Sequence, residues 1–306
     1  MDLVKQKRLA VLCAMTSALV WGLMWFPFRH MAEAGVSTAT TSLMVYLVSI
    51  ALGGVVFFDT YRRQLRFERV LVPLTLLYGW CNFSYTWAVS EGQVMRVLLL
   101  FYLSPLWTVF FSSLLLHERL TRRGWQVVAM SLTGCAVILY RPGLFDGALP
   151  LSTRAEWLAL SGGVAFALGN VISRQAQGLP VPVKSASVWL GVAGFGLGAL
   201  LVRGDLAEIG AVAGWQWLVL LALGATLLAT SVISMHGLTI LPATQVMTLM
   251  LMELVFAALS AYFLAGERMS LSEWAGGALI GGASLLSGGM TEKRRPTVPA
   301  PAPPAA

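Results

Sequence analysis

Residues 118–125 read Glu118-Arg119-Leu120-Thr121-Arg122-Arg123-Gly124-Trp125, and residues 267–274 read Glu267-Arg268-Met269-Ser270-Leu271-Ser272-Glu273-Trp274. Glu, Arg and Trp recur at the same spacing, with Leu/Met and Thr/Ser exchanged between them. A long apolar segment precedes each octet and opens on the same triplet, Gln93-Val94-Met95 in one half and Gln245-Val246-Met247 in the other. The chain repeats half of itself. In an apolar chain such a repeat marks two similar halves that can rock about a shared central site.

Of the 306 residues, 57% are apolar and 11% are charged, against about 25% charged in a soluble domain. So few charges cannot cover a water-facing surface, so lipid is the solvent for most of the chain. The charges cluster between ten apolar runs of roughly 17–24 residues, long enough to span hydrocarbon as helices. The runs are 9–29, 39–58, 70–90, 94–117, 124–141, 155–174, 185–202, 215–237, 244–265 and 271–288. The third and fourth are separated only by a short turn near Glu91-Gly92. The first is too long for a signal peptide and nine more follow it, so it reads as a mature helix. The expected fold is an all-α integral membrane protein of ten transmembrane helices.

The net charge of +7 does not read as a nucleic-acid surface, because the basic residues sit at the ends of the spans. With a cytoplasmic N-terminus, one side carries fifteen: Lys5, Lys7, Arg8, Arg62, Arg63, Arg66, Arg69, Arg119, Arg122, Arg123, Arg174, Lys184, Lys293, Arg294 and Arg295. The other side carries six: Arg29, Arg96, Arg141, Arg154, Arg203 and Arg268. The positive-inside rule places both termini in the cytoplasm. Cys13, Cys81 and Cys135 each lie alone within a span, which argues against disulfides and zinc. No metal or cofactor is expected.

Five spans per half is an odd number, so the second half enters from the opposite side and the repeat is inverted. The halves are 1–141 and 155–288, joined by a linker at 142–154. A Pro/Ala-rich tail at 289–306 reads as disordered. Trp21-Gly22 followed by Arg29 parallels Phe166-Ala167 followed by Arg174. Thr121 and Ser270 read as N-caps, and Ser270 with Glu273 as a capping box. The Glu and Arg of each octet suit a hairpin that satisfies orphan backbone groups, with a gating ion pair as the alternative.

The pattern resembles the ten-helix EamA-like exporters of the drug/metabolite transporter superfamily. Trp21-Gly22, Ser104-Pro105 and the Glu118 turn carry the likeness in the first half. Leu241-Pro242-Ala243, Met252-Glu253-Leu254 and the Glu267 turn carry it in the second. The density of Trp and Tyr looks most like the aromatic amino-acid exporter (YddG) type. Two departures are Leu254, where the family often has Pro, and Phe166-Ala167 in place of a second Trp-Gly.

Glu253 lies near the middle of the ninth span among methionines. A mid-bilayer carboxylate costs roughly 2.5–3.5 kcal/mol on insertion scales, so it must face the interior, pair, or be protonated. It reads as a proton site, an ammonium anchor, or an interhelical staple. Pro105 should break the fourth helix where it lines a cavity. Tyr78, Asn82 and Tyr85 share one helix face that should look inward. Aromatics suit an aromatic substrate or cation–π contact with an ammonium group. Trp25, Tyr102, Asn170, Gln245 and Met250 complete the candidate substrate-binding set, with Tyr46 and Trp107 as further aromatics.

No nucleotide-binding motif is present, and His30, His117 and His236 are far apart in sequence, so neither an ATP-driven pump nor an enzyme is expected. The leading reading is a secondary transporter in the inner membrane. Its partners are membrane lipid and a small-molecule substrate, an amino acid or related metabolite, with protons as a candidate coupling ion. Proton-coupled efflux of hydrophobic cations and flipping of a lipid or lipid-linked sugar are the alternatives.

Overall fold

The computed structural model describes residues 3–64, 66–116, 119–139, 151–173, 178–240, 252–286 and 291–292. Gln245, Met250, Glu118, Arg174, His117, residues 142–150 of the linker and most of the tail lie outside them. The described chain is helical: α1 (Leu3–Leu23), α2 (Trp25–Glu33), α3 (Thr38–Val56), α4 (Phe58–Gln64), α5 (Leu71–Glu91), α6 (Val94–Phe101) and α7 (Ser104–Leu116). These are followed by α8 (Arg122–Leu139), α9 (Arg154–Ser173), α10 (Val181–Arg203), α11 (Glu208–Ala211), α12 (Gly214–Ile240), α13 (Met252–Ala265) and α14 (Leu271–Leu286). Arg119–Leu120 pairs antiparallel with Thr291–Glu292, so the stretch after the last helix lies beside the first octet.

Lipid explains the helices. Without water, each backbone N–H and C=O must find a partner within its own segment. Among the described residues, six apolar helical stretches are long enough to cross a membrane: Arg8–Glu33, Thr38–Val56, Val94–Leu115, Arg154–Ser173, Val181–Arg203 and Gly214–Ile233. Met252–Ala265 is a shorter apolar helix. Large apolar side chains such as Leu76, Leu190, Leu218 and Phe263 point outward, as a lipid-facing surface requires.

The ends carry the expected caps. Gly124 N–H donates to Thr121 Oγ1 at 3.1 Å. Ser270 and Glu273 exchange both bonds of a capping box, Glu273 N–H to Ser270 Oγ at 3.2 Å and Ser270 N–H to Glu273 Oε2 at 2.8 Å. Thr153 and Glu156 form a second reciprocal pair at the start of α9.

Among the described residues, two apolar spans are broken. The first splits at Met24 between α1 and α2, and another at Tyr102-Leu103 between α6 and α7. Each break lies two or three residues before a proline, Pro27 or Pro105. Proline cannot donate to the carbonyl four residues back, and its ring clashes there. The expected kink at Pro105 thus falls one turn earlier. The Phe101 carbonyl it releases lies against Gly163, where a Cβ would come within 2.6 Å of it.

Helix α1 packs on α12 and α13, α3 on α10 and α12, α5 on α9 and α10, α9 on α6 and α7, and α8 on α14. Small residues allow the closest crossings. Gly79 and Gly191 bring α5 and α10 backbone to backbone, and a Cβ on Gly191 would sit 2.1 Å from the Thr75 carbonyl oxygen. Gly191→Ala is therefore expected to cost roughly 1–3 kcal/mol by overpacking, read as an earlier thermal transition of the detergent-purified chain. Gly194→Ala, with nothing within 4 Å of its would-be Cβ, should leave the transition unmoved; equal shifts in both would refute the close crossing.

Candidate functional site

The two breaks face one another across α13. At the first, Trp25 is buried and its indole N–H donates to Ser260 Oγ at 2.9 Å. The Ser260 hydroxyl is also 3.3 Å from the carbonyl oxygen of Gly22. Gly22 itself abuts the α13 backbone, for a Cβ there would lie 2.9 Å from the Glu253 carbonyl oxygen. This contact gives the glycine of Trp21-Gly22 its steric reason.

At the second break, the Tyr102 hydroxyl donates to Glu253 Oε2 at 2.9 Å. The partner demanded of a mid-span carboxylate is a phenol from the interrupted helix. Tyr85 of α5 packs in the same apolar cluster as Tyr102 and Leu254, the neighbour of Glu253. Tyr85 is buried with its ring 5.3 Å from that of Phe101, and its hydroxyl has no hydrogen-bond partner among the described residues. A carboxylate, two phenols and an aromatic wall thus meet where the helical ladder is interrupted.

The shared face of Tyr78, Asn82 and Tyr85 divides between neighbours. The Tyr78 hydroxyl donates to Asn170 Oδ1 at 2.7 Å, joining α5 to α9. Asn82 turns the other way. Its carbonyl oxygen lies 3.5 Å from the Tyr46 hydroxyl, and both residues line a cavity of about 240 Å³ with Trp21, Ser185, Trp189 and Thr230. Tyr85 belongs to the Glu253 side. The stripe therefore spans the space between the Glu253 pair and this cavity rather than lining one wall. The described residues hold no group of three His, Cys, Asp or Glu placed to bind a metal ion.

Arg29 ties several turns together at one end of the bundle. Arg29 of α2 pairs with Glu267 at 3.1 Å and donates to the carbonyl oxygens of Val89, at 3.0 Å, and Gly92. Its guanidinium lies 4.9 Å over the Trp25 ring. Glu267 in turn accepts the Val94 N–H at 2.9 Å, an orphan donor at the start of α6. The Glu of the second octet thus satisfies a helix end and joins an ion pair. The tie links α2, the α5–α6 turn and the α13–α14 turn at the end where Arg96, Arg154 and Arg203 also gather.

The EamA-like transporter family model matches residues 8–140 and again 153–289. The chain belongs to this family. It is 28% identical over 203 residues to the uncharacterized transporter YojE of Bacillus subtilis (strain 168), covering 66% of this chain and 64% of that one. It is 27% identical over 192 residues to an uncharacterized transporter of Pseudomonas aeruginosa, 60% of each chain. An uncharacterized transporter of Archaeoglobus fulgidus is 26% identical over 230 residues, 72% of this chain and 75% of the other. The matched stretch thus spans less than two thirds of the first two relatives. A solved crystal structure shares the fold at a TM-score of 0.60 and 20% identity, covering 91% of this chain and 96% of the other.

For this EamA-like chain, Tyr102 with Glu253 and Tyr78 with Asn170 are paired by the structure, and Trp25 is anchored beside them. Gln245 and Met250 lie outside the described residues, and Pro105 acts through the backbone. Ser260 and Arg29 were not in the candidate set. Ser260 lies seven residues, two turns, past Glu253, so helical spacing alone could have placed it on the same face. From sequence Arg29 is one of six basic residues at span ends on one side; its pairing with Glu267 is visible only in the fold. Arg29→Gln and Glu267→Gln are expected to destabilise the detergent-purified chain non-additively, with a coupling of about 1 kcal/mol in a double-mutant cycle. Simple additivity would deny the tie.

Proposed function

We propose that this protein is a secondary transporter that exports amino acids, including aromatic ones, or related small metabolites across the bacterial inner membrane by alternating access. In this reading ten spans form two inverted five-helix halves, 1–141 and 155–288, with both termini cytoplasmic. The helix pairings support it. Exchanging the halves turns the α1–α12 contact into α9–α5, α1–α13 into α9–α6/α7, and α3–α12 into α10–α5, all of which occur. The single observation that carries the reading is the Tyr102–Glu253 pair at a proline-made break. An interrupted helix deep in a bilayer is tolerated where it lines a cavity, and an ionisable group there marks a substrate or proton pathway.

In this scheme Glu253 receives the substrate ammonium group or a proton, Tyr102 and Tyr85 frame it, and Asn82 with Tyr46 offers polar contact from the adjoining cavity. The Arg29–Glu267 tie holds the outer end closed. One observation favours the second reading, efflux of hydrophobic cations: Glu253 has an aromatic shell, and no hydrogen bond or ion pair to an Arg or Lys is found for it among the described residues.

Uptake of radiolabelled amino acids into proteoliposomes, with and without a pH gradient, separates the two. Saturable flux competed by Phe or Trp is expected. Movement of a cationic drug without amino-acid flux would transfer the assignment to efflux. Glu253→Gln is expected to abolish pH-dependent flux, whereas unchanged flux with a lower melting temperature would make the residue a staple. Asn82→Ala is expected to raise KM about tenfold, one charged-group hydrogen bond's worth, with folded protein retained; an unchanged KM would remove it from the site.

A further inference from the structure

A second chemically organised cleft lies at the arginine-bearing end, away from Glu253. Its volume is about 410 Å³, and Glu91, Gly92, Gln93, Arg96, Thr153, Arg154 and Glu156 line it. That is the size of a small-ligand pocket. It sits between the α5–α6 turn and the start of α9, at the polar ends of the apolar spans.

The charges in this cleft fall into two groups. Glu156 accepts the Ser152 N–H at 2.8 Å and the Thr153 N–H at 3.0 Å, and pairs with the Arg96 guanidinium. That carboxylate is committed to its helix cap and to Arg96. Glu91 and Arg154 are the other two charges. Both are exposed, and neither joins an ion pair among the described residues. One ring positions them both. The buried Trp87 donates its indole N–H to Glu91 Oε1 at 2.5 Å, and the Arg154 guanidinium lies 4.3 Å from the centre of the same ring. Arg203 comes within 4.8 Å of it as well. Gln93, at the N-cap position of α6, spends no side-chain bond on the cap.

We propose that this cleft is a recognition site for a small zwitterion, an α-amino acid or similar amino-carboxylate, held by its carboxylate at Arg154 and by its ammonium group at Glu91. One anion and one cation fixed on the same wall match a ligand that carries both charges. A simple anion would leave Glu91 facing it, and a simple amine would face Arg154. Charge-assisted bonds of both signs, with Gln93 and Thr153 as neutral partners, provide the selectivity. The proposal stands on the cleft alone and does not depend on transport through the Glu253 region.

The test uses the full chain in nanodiscs, labelled with 5-fluorotryptophan, with the Trp87 resonance assigned by Trp87→Phe. Titration with L-alanine is expected to shift that resonance saturably. Propionate and ethylamine, which each carry one of the two charges, should bind at least tenfold more weakly. Glu91→Gln and Arg154→Gln, both at exposed positions, should each weaken L-alanine binding about tenfold, with thermal unfolding confirming intact protein. Glu253→Gln should leave the Trp87 shift in place even where it stops flux. A Trp87 signal indifferent to all three probes would overturn the site while leaving the transport reading untouched. Propionate binding as tightly as L-alanine, with no effect of Glu91→Gln, would overturn the zwitterion assignment in favour of a plain anion site.

Discussion

A backbone carbonyl with no partner in hydrocarbon costs several kcal/mol, and two prolines each release one inside this bundle. The architecture follows from how that is tolerated. Pro105 releases the Phe101 carbonyl, and α9 offers Gly163 at the point of contact. Pro27 splits the first span beside Trp25, which is anchored across to Ser260 of α13. Both interruptions are covered by other helices rather than by lipid, and the side chains beside them are the polar ones. Tyr102 can reach Glu253 because the helix is broken at Tyr102.

The same constraint appears at the end that carries Arg29. Arg29 is a costly residue near a span terminus unless its donors are used, and the structure uses them on a carboxylate and two backbone carbonyls. Glu267 is likewise shared between Arg29 and the Val94 N–H. A tie of this kind holds several turns together yet depends on a few bonds that can be exchanged together. Trp87 plays a comparable part at the neighbouring cleft, where one indole orders an acid and two guanidiniums.

Much of this was legible in the sequence because the bilayer leaves few options. The apolar runs are helical where they are described, six of the stretches being long enough to cross a membrane; the Thr121 and Ser270 caps form as spacing implied, and Glu253 has an interior partner. Less legible was which neighbour each polar residue would meet. Tyr78, Asn82 and Tyr85 lie on one stripe of α5, but helices surround α5 on several sides, so a stripe of that width touches more than one partner. Periodicity assigns residues to a face and cannot say how many helices share it. Arg29 and Glu267 are separated by 238 residues in sequence, and no local pattern joins them. The repeated octet hinted at a paired role without naming the partner. Ser260 was hidden by its small size, since a serine in an apolar helix most often bonds its own backbone.

The most direct test of the account is a spin-label distance measurement across the tie, with labels at the exposed positions Glu33 and Arg268 in a chain whose cysteines have been replaced. With Arg29 and Glu267 intact, one short, narrow distance population should dominate in the absence of substrate. Arg29→Gln should add a second, longer population as this end of the bundle loosens. An identical distance distribution in the two proteins would contradict the claim that this ion pair governs access to the Glu253 region.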